Sequence, residues 1–215
     1  MDNIIAGMGS GIAQSLVGHP LDTLKVYSQD LSFNKKIEFK NLYRGISYPL
    51  ITNSFICSIN FYTFEYFKNN YNYSPFIAGA ISGIPTGIII NPIEISKIKK
   101  QLFITNNIPY NKGLSICMFR EVLSYSMYFQ SYYSLRDNNV SILNAGGIAG
   151  IAGWLFSYPI DVIKTRIQSG KSKNIMCAIK QKNLFKGMFI CIIRAYPVNA
   201  IGLYSYEYIK TFFIK

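Results

Sequence analysis

One ten-residue pattern occurs three times along this chain of 215 residues. It begins at Pro20, Pro92 and Pro159, and in each copy an acid follows the proline by two residues, a lysine by five and a glutamine by nine. Recurrence at fixed offsets is typical of repeat proteins, in which each copy forms one supersecondary unit. We therefore expect three similar units rather than one irregular domain.

Two further landmarks divide each unit in the same way. Glycines precede each proline by thirteen and by nine residues, a spacing that lets helices approach closely in lipid. A basic residue and a glycine, at 44–45, 112–113 and 186–187, are followed nineteen residues after the glycine by an aromatic residue. These landmarks predict repeats over 1–72, 73–141 and 142–215, each a pair of helices joined by a loop.

Uncharged runs indicate where the chain crosses a membrane. Residues 45–64, 69–93 and 138–160 contain no charge over 20, 25 and 23 residues, and about 20 helical residues span a bilayer core. Three less regular stretches, 3–18, 113–135 and 187–206, complete the pattern. The fold class predicted is an all-α membrane protein with six transmembrane helices in three tandem helix-pair repeats and pseudo-threefold symmetry.

Composition excludes most other classes. With 50% hydrophobic and 15% charged residues the chain is too apolar for a disordered polycation, despite a net charge of +12. The four cysteines form no CxxC and there is a single histidine, so we expect no metal site, no cofactor and no enzymatic activity. No stretch resembles a cleavable signal peptide, which leaves any targeting signal inside the chain.

The repeated motifs carry a family resemblance. PLDTLKVYSQ, PIEISKIKKQ and PIDVIKTRIQ, with Tyr43-Arg44-Gly45, Phe185-Lys186-Gly187 and the segments FEYFK and YEYIK, resemble the mitochondrial carrier family. The match is best to its carnitine/acylcarnitine and ornithine/basic amino acid branch, in a shortened form. The resemblance implies a monomeric, multi-pass transporter of the mitochondrial inner membrane, in a host's mitochondria if a parasite or virus encodes it.

The resemblance also implies a matrix gate of three ion pairs. Its members are the charged residues of the three proline motifs, paired as Asp22 with Lys97, Glu94 with Lys164 and Asp161 with Lys25. The trailing glutamines would brace these pairs by hydrogen bonds: Gln29, Gln101 and Gln168.

A cytoplasmic gate follows from the second motif in the same way. It implies pairs of Glu65 with Arg136 and of Glu207 with Lys68. Tyr133 stands where the third acid is expected, which leaves Lys210 without a partner. We therefore expect the outer gate to be the weaker one and the empty cavity to open towards the cytosol.

Lipid contacts are implied at the glycines that begin the second helices. Free backbone N–H groups at a helix start favour anions. By the resemblance, Gly45, Gly113 and Gly187 would bind cardiolipin phosphates.

Charges inside predicted spans mark the substrate site, because they are costly in a bilayer. Arg120, Glu121 and Arg194 lie well inside the second helices, and the first repeat has Thr52 and Asn53 at the equivalent positions. In carriers resembling this one, such positions contact substrate. Arg194 would bind a carboxylate and Glu121 an ammonium, while Trp154 offers an aromatic face to a cation.

Three functions remain open. Carnitine-like or amino-acid substrates, moved by exchange, are favoured by the Arg-Glu pair, although no acid stands at Ile56, where an ornithine-type carrier would supply one. A nucleotide or deoxynucleotide carrier would suit the excess of basic residues. A membrane scaffold that transports nothing is the third. Under each of these functions we expect no nucleic-acid partner.

Overall fold

A computed structural model describes residues 2–29, 43, 46–101, 109–168, 172, 174–181, 184–185 and 187–213. Side chains at 22–29, 48, 97–101 and 213 lie outside that description. All regular structure in the described residues is helical: α1 Asp2–Gln29, α2 Ser47–Tyr71, α3 Pro75–Gln101, α4 Leu114–Asp137, α5 Ile142–Gln168, α6 Ile175–Lys180 and α7 Met188–Phe213.

Short turns join one repeat to the next. Asn72 ends α2 with a φ of 53°, and Asn139, between α4 and α5, has a φ of 58°. Asparagine adopts this left-handed conformation more readily than most residues, which allows the chain to reverse within a few residues. The long helices thus fall two to each predicted repeat, and the short helix α6 lies between the two long helices of the third.

The six long helices form a closed ring. Each packs against its neighbours in the sequence, α7 packs against both α5 and α1, and the short helix α6 packs on α5. A ring of this kind directs one face of every long helix towards a common centre. Residues far apart in the sequence therefore line a single space.

Three helical segments in the described part of the chain are long and apolar enough to cross a membrane: Pro75–Ser96, Ile142–Gln168 and Met188–Phe212. Helices α1, α2 and α4 are of similar length but more polar. Length and composition alone therefore support three of the six predicted spans.

Glycines bring the two long helices of each repeat into backbone contact, which confirms the prediction of close approach. A Cβ atom added at Gly7 would lie 2.6 Å from the Cα of Ser58, and one at Gly83 would lie 2.6 Å from the Cα of Val122. In the third repeat, a Cβ at Gly146 would lie 3.1 Å from a backbone oxygen of α7. The first two distances are too short for any side chain.

An aromatic cluster fills the end of the ring where α2, α4 and α7 finish. Phe64 and Phe129 stack with ring centroids 3.7 Å apart, and Phe61 stacks on Tyr206 at 3.9 Å. These four rings are buried. Buried aromatic side chains remove a large apolar area from solvent, so this cluster fills the space between α2, α4 and α7 at this end of the ring.

Candidate functional site

A cavity of about 310 Å³ lies at the centre of the ring. Every one of the six long helices contributes to its wall. The wall includes Arg120, Glu121 and Arg194, which the sequence places at the substrate site, together with Glu94 of the predicted matrix gate. Two carboxylates and two guanidinium groups from three helices thus border the same space.

Arg120 is held on several sides. Its Nη1 pairs with a carboxylate oxygen of the adjacent Glu121, and both residues are buried. The Cζ of Arg120 lies 4.9 Å from the ring centroid of Trp154, a cation–π contact. The predicted aromatic face is therefore occupied by the protein's own arginine.

The same arginine connects the cavity with the predicted matrix gate. Arg120 Nε lies 3.3 Å from Asp161 Oδ1, an ion pair without hydrogen-bond alignment. Asp161 Oδ1 also lies 3.3 Å from Lys164 Nζ. Lys164 in turn donates to both carboxylate oxygens of Glu94, at 2.6 and 2.8 Å. Charges of alternating sign therefore run without a break from Glu121 on α4, across α5, to Glu94 on α3.

The other predicted substrate residues lie on α2 and α7. Arg194 reaches towards α1, where a Cβ atom at Gly18 would be 3.4 Å from its Nη2, so this glycine leaves room for the guanidinium. Asn53 lines the cavity and donates to Ser15 Oγ at 3.0 Å. Thr52 is not among the lining residues of this cavity.

The cavity wall also contains uncharged polar residues that the sequence does not mark as site residues. Asn60 on α2 is buried and donates to Ser82 Oγ at 3.1 Å and to Thr86 Oγ1 at 3.4 Å. Ser124 and Asn199 complete the polar surface on α4 and α7. Their only sequence signal is a polar side chain within an otherwise uncharged run, which many packing residues share.

The matrix gate is described in part. Glu94 and Lys164 lie together, as the family resemblance implies, and Lys164 is almost entirely buried. Five other side chains of this gate lie outside the described part of the structure: Asp22, Lys25, Lys97, Gln29 and Gln101.

Within the described part of the gate, Gln168 binds another amide rather than an ion pair. Its Nε2 donates to Asn91 Oδ1 at 2.9 Å, and Asn91 donates to the carbonyl oxygen of Tyr110 at 2.7 Å. Both amide side chains are fully buried. Asn91 precedes the proline of its motif and accepts the hydrogen bond that Gln168 donates. The amides connect α5 through α3 to the residues before α4.

At the cytoplasmic gate, the predicted pair of Glu65 with Arg136 is not formed. Glu65 is buried and accepts a hydrogen bond from Lys210 Nζ at 2.7 Å, so the prediction that Lys210 lacks an acid is wrong. Arg136 instead donates to the carbonyl oxygen of Val140 at 2.7 Å. A carbonyl in the turn after α4 satisfies this arginine locally, which leaves Glu65 to α7.

The second predicted pair, Glu207 with Lys68, is also replaced. Glu207 accepts a hydrogen bond from the hydroxyl of Tyr132 at 3.2 Å. Lys68 Nζ lies 3.4 Å from the ring centroid of Tyr133. Together with the aromatic cluster, these contacts join α2, α4 and α7 at the end of the ring that the sequence assigns to the cytosolic side.

Two of the predicted lipid glycines have left-handed backbones. Gly113 precedes α4 with a φ of 74°, and Gly187 precedes α7 with a φ of 90°. Side chains are strained in that region, which explains a glycine at each helix start. Gly45 lies outside the described residues.

Known proteins are similar to this chain over nearly its whole length. Residues 136–215 match the family model described as mitochondrial carrier protein. A glutamate/glycine mitochondrial carrier of Schizosaccharomyces pombe is 28% identical over 277 residues, covering 95% of this chain and 92% of the relative. A mitochondrial arginine transporter of Arabidopsis thaliana is 28% identical over 261 residues, covering 94% and 88%. A mitochondrial basic amino acids transporter of Bos taurus is 28% identical over 260 residues, covering 92% and 87%.

Proposed function

Because this chain belongs to the mitochondrial carrier family, we propose that it exchanges small zwitterionic metabolites, above all amino acids, through its central cavity. Members of this family are multi-pass proteins of the mitochondrial inner membrane that transport solutes and are not enzymes. The proposal concerns what is carried and how.

The six long helices act as six membrane spans with pseudo-threefold symmetry. Three of them satisfy the length and hydropathy expected of a span. The other three, α1, α2 and α4, owe their lower hydropathy partly to polar side chains that line the cavity, such as Gln14, Asn53 and Arg120. Polar residues are tolerated within a bilayer when they face a bundle interior.

The mixed charge of the cavity wall carries the substrate assignment. Arg120 and Arg194 share the wall with Glu94 and Glu121. A zwitterion places one charge of each sign against such a wall, whereas a nucleotide brings several negative charges to two carboxylates. The volume of about 310 Å³ lies at the small end of the range for ligand pockets, about 300–1,000 Å³.

Within this site Arg194 binds the substrate carboxylate and Glu121 the ammonium. A carnitine-like quaternary ammonium fits the same division of charge. The relatives named for glutamate, glycine, arginine and basic amino acids favour amino acids over carnitine. Ile56 supplies no carboxylate from α2, so a basic side chain depends on Glu94 or Glu121.

Substrate binding is coupled to the matrix gate through Arg120. An ammonium that attracts Glu121 weakens the hold of Glu121 on Arg120. Arg120 then interacts more strongly with Asp161, and Asp161 is drawn from Lys164. The gate, formed by the proline-motif pairs, opens most easily when the cavity is occupied, as exchange requires.

Cardiolipin phosphates bind at the helix starts that follow Gly45, Gly113 and Gly187, and the protein works as a monomer. The left-handed glycines at 113 and 187 bring backbone N–H groups to each helix start without a Cβ atom in the way.

Reconstitution tests the proposal. Purified protein in cardiolipin-containing vesicles is loaded with arginine, and uptake of labelled arginine is measured against competing glycine, carnitine and a deoxynucleotide. We expect loaded vesicles to take up label, empty ones to take up little, and amino acids to compete best. Arg194→Ala should abolish uptake, whereas Lys180→Ala removes one exposed positive charge on α6 and serves as its control. Competition by the deoxynucleotide alone would replace the amino-acid assignment, and no uptake of any solute would support a scaffold.

A further inference from the structure

Side chains at the cytoplasmic end join α2, α4 and α7 two at a time. The contact between α7 and α2 is the ion pair of Lys210 with Glu65, at 2.7 Å. The contact between α4 and α7 is the hydrogen bond from the Tyr132 hydroxyl to Glu207, at 3.2 Å. Two sides of a triangle of helices are thus held by a carboxylate.

The third side, between α2 and α4, is held without a carboxylate. The ammonium of Lys68 lies 3.4 Å from the ring centroid of Tyr133. Of the carboxylates that the structure describes, none forms an ion pair with Lys68. The face of an aromatic ring is its negative side, and an ammonium at this distance is attracted to it.

Tyr133 occupies a position of the repeat that is acidic in the other two copies. Glu65, Tyr133 and Glu207 each follow the aromatic residue that lies nineteen positions after the repeat glycine. Two repeats therefore have an acid at this place and the second repeat has a phenol ring. Lys68 therefore contacts the ring of Tyr133 at the position where an acid of the second repeat would otherwise stand.

Aromatic neighbours keep this contact partly dry. Phe64, one turn before Lys68 on α2, stacks on Phe129 of α4 and lies 5.6 Å from Tyr133 between centroids. The ammonium of Lys68 is 6.0 Å from the Phe64 ring centroid as well. Cation–π contacts gain strength as water is removed, so the cluster beneath reinforces the pair.

We propose that Lys68 and Tyr133 form an aromatic latch, which closes the third side of the outer gate by a cation–π contact in place of an ion pair. This proposal rests on the alternating-access function proposed above. The attraction of an ammonium to a neutral ring is weaker than its attraction to a partly buried carboxylate. The latch therefore holds the gate closed at rest and releases more readily than a third ion pair would.

Cys57 provides a reporter that does not depend on transport. It lines the cavity inside the aromatic cluster, so a reagent from the cytosolic side reaches it only when the outer gate opens. The other three cysteines, Cys117, Cys177 and Cys191, are replaced by serine. Mitochondria from yeast that express this variant are treated with a charged, membrane-impermeant methanethiosulfonate, and the labelling rate of Cys57 is measured by mass spectrometry.

We expect Tyr133→Leu and Lys68→Met to raise the labelling rate by about 2- to 30-fold, the range that corresponds to a cation–π contact. Tyr133→Phe keeps the ring and should label within about twofold of the parent. Tyr66→Leu removes an exposed ring from the helix that carries Lys68 and is the matched control. Tyr133→Glu supplies a carboxylate and should lower both labelling and arginine exchange.

Parent-like labelling of both Tyr133→Leu and Lys68→Met would overturn the latch. So would equal increases in Tyr133→Phe and Tyr133→Leu, because the hydroxyl rather than the ring face would then be responsible. If Tyr133→Leu fails to fold, Lys68→Met decides alone. Arginine exchange is measured in parallel. If the variants label faster but the parent shows no exchange, the latch is supported and the transport function is refuted. If the parent exchanges arginine but the variants label at the parent rate, the transport function is supported and the latch is refuted.

Discussion

Replacement of Glu121 by glutamine removes one charge from the cavity wall while nearly preserving the size of the side chain. Glu121 is almost fully buried and pairs with Arg120. Glutamine still offers that arginine a carbonyl oxygen, and the contacts of Arg120 with Asp161 and Trp154 remain. The variant therefore tests recognition of a positive substrate group more than it tests the fold.

The size of the effect follows from the charge that is lost. A hydrogen bond that involves a charged group contributes about 1.5–3 kcal/mol, and about 1.4 kcal/mol corresponds to a factor of ten. We expect exchange of amino acids and of carnitine, measured well below saturation, to fall about 10- to 150-fold. The melting temperature should fall by only a few degrees, since each kcal/mol corresponds to about 2–4 °C in a chain of this size.

The assay compares initial rates in reconstituted vesicles for arginine, glycine, carnitine and a deoxynucleotide. Asp137→Asn is the control, because it makes the same chemical change at an exposed position at the end of the same helix. Unchanged amino-acid exchange in Glu121→Gln would refute the assigned role of Glu121. Faster deoxynucleotide uptake in this variant would refute the amino-acid assignment itself, since removal of a repelling carboxylate favours an anionic substrate.

Three further variants test the gate and the packing. Lys164→Met removes the cation shared by Glu94 and Asp161; exchange should fall at least about tenfold, and adding Glu94→Gln should recover part of it by relieving carboxylate repulsion. Gly83→Ala places a Cβ atom 2.6 Å from the backbone of α4; overpacking of about 1–3 kcal/mol should lower the melting temperature by several degrees, and an unchanged value would contradict the close approach. Gly187→Ala puts a side chain at a φ of 90°; a loss of at least about 1 kcal/mol is expected from thermal unfolding, and parent-like melting would argue against the left-handed backbone.

Much of the fold is encoded locally and could be predicted. The spacing of Gly7, Gly83 and Gly146 within their repeats predicts close helix pairs, and each lies against the second long helix of its own repeat. Repetition also reduces the problem, because a pattern that holds three times must form the same local structure three times.

Partners across the ring could not be predicted, because they depend on competition between side chains. Glu65 was expected to bind Arg136, but the arginine reaches the carbonyl of Val140 in the turn after its own helix, and Lys210 takes the acid. Motif spacing gives the height of each charge along its helix. It does not give the nearest partner around the ring.

Buried amides posed a similar difficulty. Gln168 was expected to brace an ion pair, yet it binds Asn91. Asn91 is the residue before a proline, where the other repeats have His19 and Tyr158. A feature found in only one repeat is invisible to an analysis based on what the repeats share.

The glycines of α3 also have a mechanical consequence. Gly79, Gly83 and Gly87 follow one another along the face that touches the backbone of α4, and none of them has a side chain to interlock with that helix. Ordinary helix pairs hold side-chain ridges in the grooves of their neighbour, and these must separate before either helix can shift lengthwise. At these three positions α3 has no side chain that must clear α4, so we expect a lengthwise shift of α3 against α4 to need fewer side-chain rearrangements than in an interlocked pair. The close approach of α3 to α4 therefore joins the two helices without fixing their lengthwise register through the side chains of these three positions.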